Sequence, residues 1–174
     1  GVKVAIIDEG VDLTHPDLIN NLLPGFDATG NNSNGAPNAN NNDAHGTACA
    51  GIVAAVANNN IGISGIAYNA KIIPIRIGYS NGLPLTDQNR TWVTNNNWIA
   101  NGITWAVQNG ADILSNSWGG GSPSTAITNA INYAAKTDEK NGLIFAYQGL
   151  FGGYEGRYSI LPYYERSEEH TSGL

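Results

Sequence analysis

Residues 2–7 form an almost unbroken run of apolar β-formers that halts at Asp8-Glu9-Gly10. A run without polar alternation fits a strand covered on both faces, as in a parallel sheet, and the acidic-glycine step ends it in a turn. Between Pro24 and Asp43 apolar positions thin out and Asn and Gly take over. That composition makes turns but no core, so an exposed loop is expected. From His45 to Ala57 a helical period appears: Cys49, Ile52, Val53 and Val56 recur at i, i+3, i+4 and i+7, with Gly46, Ala48, Ala50 and Gly51 between them. The spacing predicts a buried helix that packs closely on several sides. Residues 71–77 read as a second strand. Residues 95–108 read as a helix with Trp98, Ile99, Gly102, Ile103 and Ala106 inward, and 112–115 as a third strand. Helical spacing returns over 124–136 through Ile127, Ile131 and Ala134 or Ala135, before a fourth apolar run at 143–146. Strand and helix alternate throughout, which predicts an α/β fold with a mostly parallel central sheet. Ligands gather beyond the carboxyl ends of such strands, so chemistry is expected after Ile7, after Leu114 and after Ala146.

Composition narrows the classes of function. With 174 residues, 41 % of them hydrophobic, the chain can bury the core of one domain, which excludes a coiled coil or a disordered segment. Charged residues are only 13 %, against about 25 % in an ordinary soluble domain. The net charge is −6, and the eight basic residues form no cluster, so no nucleic-acid partner is expected. No apolar run approaches the roughly 18 residues of a membrane span, and no membrane partner is expected either. A single cysteine excludes a disulfide-stapled scaffold. There is no methionine, and the chain starts inside a core strand. The native start, with any signal peptide, is therefore expected upstream.

Two blocks carry the chemistry: Val4-Ala5-Ile6-Ile7-Asp8-Glu9-Gly10-Val11-Asp12, continued by His15-Pro16-Asp17-Leu18, and Asp43-Ala44-His45-Gly46-Thr47-Ala48-Cys49-Ala50-Gly51. Here the sequence resembles the subtilisin-like serine proteases, the subtilases. The first block is similar to their aspartate motif and the second to their His-Gly-Thr-x-x-Ala-Gly motif, in the chain order that subtilisin uses. The resemblance implies a subtilisin-like three-layer α/β domain, incomplete at both ends, from a secreted, extracellular serine endopeptidase acting on protein or peptide. Asp8 and His45 would be catalytic. A serine hydroxyl is a poor nucleophile until a neutral imidazole takes its proton, and a buried carboxylate orients and stabilises the imidazolium that forms. A helix N-terminus opposes protonation of an imidazole placed there, which would favour the base-competent form of His45. Gly46 would let other backbone approach the ring.

Further along, Asn58-Asn59-Asn60-Ile61-Gly62-Ile63-Ser64-Gly65 is similar to the family's calcium loop. The implied ligands for a structural Ca2+ are Asp17, Asn59 and the carbonyls of Ile61 and Ile63, all oxygen donors; the family takes a further ligand from upstream of Gly1, so the resemblance implies an incomplete site here. Asp112-Ile113-Leu114-Ser115-Asn116-Ser117-Trp118-Gly119-Gly120 resembles the strand that pairs with substrate, making Ser117, Trp118 and Gly119 substrate-binding. Substrate would then lie as an added strand, held by main-chain hydrogen bonds. Cys49, four residues after His45, is expected to be a small core residue, because no further Cys or suitably spaced His completes a ligand set.

The resemblance covers residues 1–146 and stops. No Gly-Thr-Ser-x-Ala-x-Pro motif for the nucleophile occurs, and Tyr147-Gln148-Gly149-Leu150 stands where the family has an oxyanion Gly-Asn step. Residues 147–174 break the α/β pattern, and Arg166-Ser167-Glu168-Glu169-His170-Thr171-Ser172 resembles the translation of a short-read sequencing adapter. A non-native tail produced by a frame shift near Ala146 is expected. Two alternatives to the peptidase remain at this level. One is a non-catalytic homologue that binds extended peptides, and the other is a structural or glycan-binding surface module, suggested by the low charge and Asn-rich loops.

Overall fold

The computed structural model describes residues 1–147 apart from Asn31, Leu85, Gly120, Gly121, Gly142 and Leu143, with side chains described up to Lys136 except that of Ala39. Of the tail expected over 147–174, Tyr147 is described and ends the last strand of the sheet; residues 148–174 lie outside the described residues, as does Gly120 of the Ser-Trp-Gly-Gly segment.

Among the described residues, and setting aside two single-turn 3-10 helices, the strands and α-helices follow in order: β1 (Lys3–Asp8), β2 (Phe26–Asp27), α1 (His45–Ala54), β3 (Lys71–Arg76), β4 (Gly78–Ser80), β5 (Trp92–Thr94), α2 (Asn96–Gln108), β6 (Ile113–Asn116), α3 (Thr125–Asn141) and β7 (Ile144–Tyr147). Five strands make one parallel sheet in the order β2-β3-β1-β6-β7, while β4 and β5 form a separate antiparallel pair. Side chains on a strand alternate between faces, and β1 uses both. Ala5 and Ile7 join Ile73, Ile75 and Ile77 of the β3 region, Ile99, Ile103 and Ala106 of α2 and Ile127 of α3 in one core. Val4 and Ile6 join Ile72 and, from α1, Ala50 and Ala54 in the other. The result is the expected three-layer α/β arrangement, with α1 below the sheet and α2 and α3 above it. No helix of the described residues is long and apolar enough to cross a membrane.

The helix over 96–108 buries Ile99, Gly102, Ile103 and Ala106 as the spacing predicts, adds Val107, and leaves Trp98 half-buried. Asn95 caps it by accepting the Trp98 amide at 2.9 Å. Three details differ from the sequence reading. In α1 the buried stripe is Gly46, Ala50 and Ala54, whereas Ile52 is 57 % exposed and Cys49 and Val53 are half-buried. Small residues at i, i+4 and i+8 let the helix backbone settle close to the sheet, and the larger apolar stripe rides on the flanks. The Asn-rich stretch is not all exposed, because Phe26–Asp27 pairs with Ile75–Arg76 and both Asp27 and Asp43 are buried. Phe26 stacks on Trp105 with ring centroids 5.2 Å apart. The β4–β5 hairpin was not expected, since two strands of three residues each leave no readable period.

Candidate active site

β1 lies between β3 and β6 at the centre of the sheet. The connection through α1 leaves to one face and the one through α2 to the other, so the end of β1 is a topological switch point, the usual ligand crevice of such sheets. Asp8 is its last residue, 3 % exposed. His45 is the first residue of α1. Their contact spans 37 positions of chain: His45 Nδ1 stands 2.9 Å from Asp8 Oδ2 and 3.1 Å from Oδ1. The Glu9 amide also donates to Asp8 Oδ1 at 2.8 Å, which fixes the carboxylate plane. Since a carboxylate only accepts, Nδ1 carries the proton and the neutral ring keeps its lone pair on Nε2. The imidazole side chain is half exposed, so Nε2 can meet a substrate or a nucleophile.

The docking of α1 against β1 depends on two glycines. Gly10 has φ +104°, open to glycine, and a Cβ on Gly46 would lie 2.3 Å from the Gly10 carbonyl oxygen and 3.0 Å from Asp8 Cβ. Gly46 thus permits the approach of helix to strand end, rather than an approach to the ring itself. Thr47 adds a tie by accepting the Asp12 amide at 2.9 Å.

The hydrogen bond to Asp8 raises the His45 pKa above its ordinary value, the nearby Cys49 thiol adds to this, and burial opposes it. The direction is opposite to the one expected from a ring at the start of a helix, and the Asp8 bond is its main cause. Cys49 Sγ sits 3.9 Å from Nδ1 and 4.0 Å from Nε2. It is half-buried against the ring as well as against the core, so it is not purely a core residue as expected.

Ser117, Trp118 and Gly119 follow β6 at the same sheet edge. Trp118 Nε1 donates to the Ile7 carbonyl at 2.7 Å, one residue before Asp8. The indole is therefore fastened to the frame of the site, and Gly119 lies exposed beyond it.

The second cluster lies on the α1 side of the sheet. Asp17, 2 % exposed, accepts Asn59 Nδ2 at 2.7 Å on Oδ1 and the Ile63 amide at 2.9 Å on Oδ2. Asn59 Oδ1 accepts the Ile61 amide at 3.0 Å. These bonds hold the Asp17 carboxyl below its usual range, the Asn59 bond most of all. Asn58, Asn60 and Gly62 all have positive φ, winding residues 58–63 tightly round the carboxylate. The structure so brings together Asp17, Asn59, Ile61 and Ile63. Their oxygen-rich set fits calcium in kind; the bonds present run from amide donors to Asp17 and Asn59.

Three residues near the dyad escaped the sequence reading. Glu9 Oε1 accepts the His45 amide at 2.7 Å. Arg90 Nη2 stands 4.0 Å from Glu9 and 3.7 Å from Asp43. One signal existed: Ala44, just before α1, has no side-chain oxygen with which to cap it, so the first amides needed an acceptor from elsewhere.

A buried carboxylate and a half-exposed imidazole, joined at the switch point of a parallel sheet, form a candidate acid–base pair on an α/β scaffold. Residues 1–147 match the model of the subtilase family, and the chain belongs to that family. Among curated relatives, it is similar to thermitase of Thermoactinomyces vulgaris, 40 % identical over 134 residues, covering 77 % of this chain and 43 % of the relative. It is also similar to a calcium-dependent protease of Trichormus variabilis, 39 % identical over 121 residues, covering 68 % of this chain and 16 % of that protein. Among solved structures, fervidolysin from Fervidobacterium pennivorans, described as a keratinolytic enzyme related to subtilisin, aligns with TM-score 0.61 at 30 % identity. That alignment covers 83 % of this chain and 20 % of the other. The chain thus spans less than half the length of these proteins.

Proposed function

We propose that the protein to which this chain belongs is a serine endopeptidase, and that Asp8 and His45 are its catalytic acid–base pair. The observation that carries this is the 2.9 Å contact between His45 Nδ1 and Asp8 Oδ2. In the reaction, His45 Nε2 takes the proton of a serine hydroxyl as that oxygen attacks the peptide carbonyl, and Asp8 keeps the ring in the tautomer with Nε2 free. The imidazolium then returns the proton to the leaving amine. The serine is supplied by sequence other than these 174 residues, which contain no Gly-Thr-Ser-x-Ala-x-Pro motif.

The substrate in this reading is an extended peptide laid along Ser117, Trp118 and Gly119, whose backbone continues β6 towards the dyad. Support comes from the Trp118 bond to Ile7, which sets that segment beside Asp8. Asp17, Asn59 and the carbonyls of Ile61 and Ile63 would hold a structural calcium, which when bound would brace the 58–63 loop; the printed name of one relative, a calcium-dependent protease, points the same way. The family resemblance also carries an extracellular location for the whole protein.

The experiment is labelling of the full-length protein with a serine-directed fluorophosphonate, alongside hydrolysis of a peptide library. His45→Ala should lower kcat on the order of 10⁶-fold, because triad members act as a unit. Full hydrolysis by that variant would refute the assignment.

A further inference from the structure

Glu9 takes no part in the proton transfers described above, yet it is 4 % exposed and sits beside both catalytic residues. Burying a carboxylate is costly unless hydrogen bonds and charges answer it. Its Oε1 accepts the His45 amide at 2.7 Å. That amide opens α1, whose preceding residue Ala44 makes no side-chain cap. The cap therefore comes from 36 positions away, from the residue next to Asp8, and it joins the end of β1 to the start of α1. A negative group is also favoured at that helix end.

On its other side, Glu9 Oε2 is 4.0 Å from Arg90 Nη2, and the same nitrogen is 3.7 Å from Asp43 Oδ1. Arg90 donates further to the carbonyls of Asn41, Asn42 and Leu83. One guanidinium thus ties the residues leading into His45 to the segment between β4 and β5. Ser80, at the end of β4, reinforces the tie by donating through its hydroxyl and its amide to Asp43 Oδ1, at 2.6 and 2.9 Å. The charged groups around Glu9 are Asp8 from β1, Asp43 and His45 from the approach to α1, Arg90 from the hairpin, and Arg76, its bridge partner in β3. Burial, with the charges of Asp43 and Asp8 beside it, leaves the Glu9 carboxyl above its ordinary range, although the His45 amide and Arg90 pull it down.

We propose that Glu9 is a positioning residue for the catalytic imidazole: its carboxylate, backed by Arg90, caps α1 through the His45 amide and holds the ring in register with Asp8. The meaning of this clamp rests on the peptidase reading, but its test does not need a serine.

The test is NMR on the 15N-labelled chain, following His45 amide exchange and the His45 imidazole titration in Glu9→Gln, Glu9→Ala and Arg90→Gln. Glu9→Gln keeps an acceptor oxygen, so the His45 amide should stay protected and the imidazole midpoint should stay near that of the wild type. Glu9→Ala removes the cap, so it should speed amide exchange by about tenfold or more and, by loosening the ring from Asp8, lower the midpoint by about half a pH unit or more. Arg90→Gln takes away the backing of the carboxylate and should speed exchange of the same amide by a smaller factor. Protected exchange in a folded Glu9→Ala variant would overturn the proposal. So would His45 amide exchange in Arg90→Gln equal to that of the wild type, and this second result decides the matter if the alanine variant does not fold. If the expected shifts appear while the full-length protein neither hydrolyses peptides nor takes up the fluorophosphonate, the clamp stands and the peptidase reading falls.

Discussion

Replacing Gly46 by alanine adds one methyl group at the tightest contact of the site. That methyl would sit 2.3 Å from the Gly10 carbonyl oxygen, 3.0 Å from Asp8 Cβ and 3.2 Å from Asp8 Oδ1. Non-bonded carbons rest comfortably at roughly 3.5–4.0 Å, so the first turn of α1 must withdraw by about 1 Å. Both neighbours at fault are backbone or are fixed by it, and β1 is paired on both sides, so the helix is what moves. A withdrawal of about 1 Å would stretch the 2.9 Å contact between His45 and Asp8 past hydrogen-bonding range. Alanine gains about 1 kcal/mol of helix propensity over glycine, but overpacking costs about 1–3 kcal/mol, and loss of the half-buried hydrogen bond adds about 1 kcal/mol. The net loss is about 1–3 kcal/mol, which lowers Tm by about 3–10 °C for a domain of this size. Thermal unfolding by circular dichroism measures the stability. The NMR signal of the Nδ1 proton, carried on the bond to Asp8, reads the geometry. A Gly46→Ala protein with unchanged Tm and an unchanged Nδ1 signal would refute the reasoning.

Asp8→Asn should bring the His45 pKa back towards about 6.5, since the carboxylate is the main cause of its rise; NMR titration of the ring measures this. A raised imidazole pKa stabilises the fold fully below the unfolded-state value and loses that effect as pH rises through the folded one. The difference in stability between wild type and this variant should therefore shrink in alkali. Asp27 behaves oppositely: burial raises its pKa, but hydrogen bonds from Thr29 and Ser33 outweigh burial and leave it lowered. Its contribution is present above the unfolded-state value near 4 and fades as pH falls through the lower folded value, so Asp27→Asn should flatten the acid limb of a Tm-against-pH curve. Calcium at millimolar concentration should raise the Tm of the chain, and Asp17→Asn should abolish that increase without abolishing folding; an equal rise in both proteins would remove calcium from the Asp17 loop.

The sheet was legible because its strands are buried on both faces and so are written as solid apolar runs, at 2–7 and 71–77 above all. The dyad was legible because strand end and helix start each carried a full motif. What escaped was written in single residues whose meaning depends on the far side of the fold. Ile52 belongs to the stronger apolar stripe of α1 yet faces outward, because the sheet selects for closeness, which only Gly46, Ala50 and Ala54 allow. Asp43 and Arg90 lie in polar stretches that look like solvent-facing loop, and it is the hairpin folding back on residues 41–43 that buries their charges. Glu9 reads as half of a turn until the missing cap at Ala44 is seen to need it.

The two halves of the dyad are mounted very differently. Asp8 ends a strand braced by neighbours on either flank, with its side chain 5 % exposed, while the imidazole facing it is 50 % exposed on the opening turn of a ten-residue helix. The carboxylate is the anvil of this site and the ring the moving part. Thermal fluctuation, ligand strain and engineered tuning will all register first in where α1 begins, and any attempt to retime the proton transfer should begin with that turn and leave the strand alone.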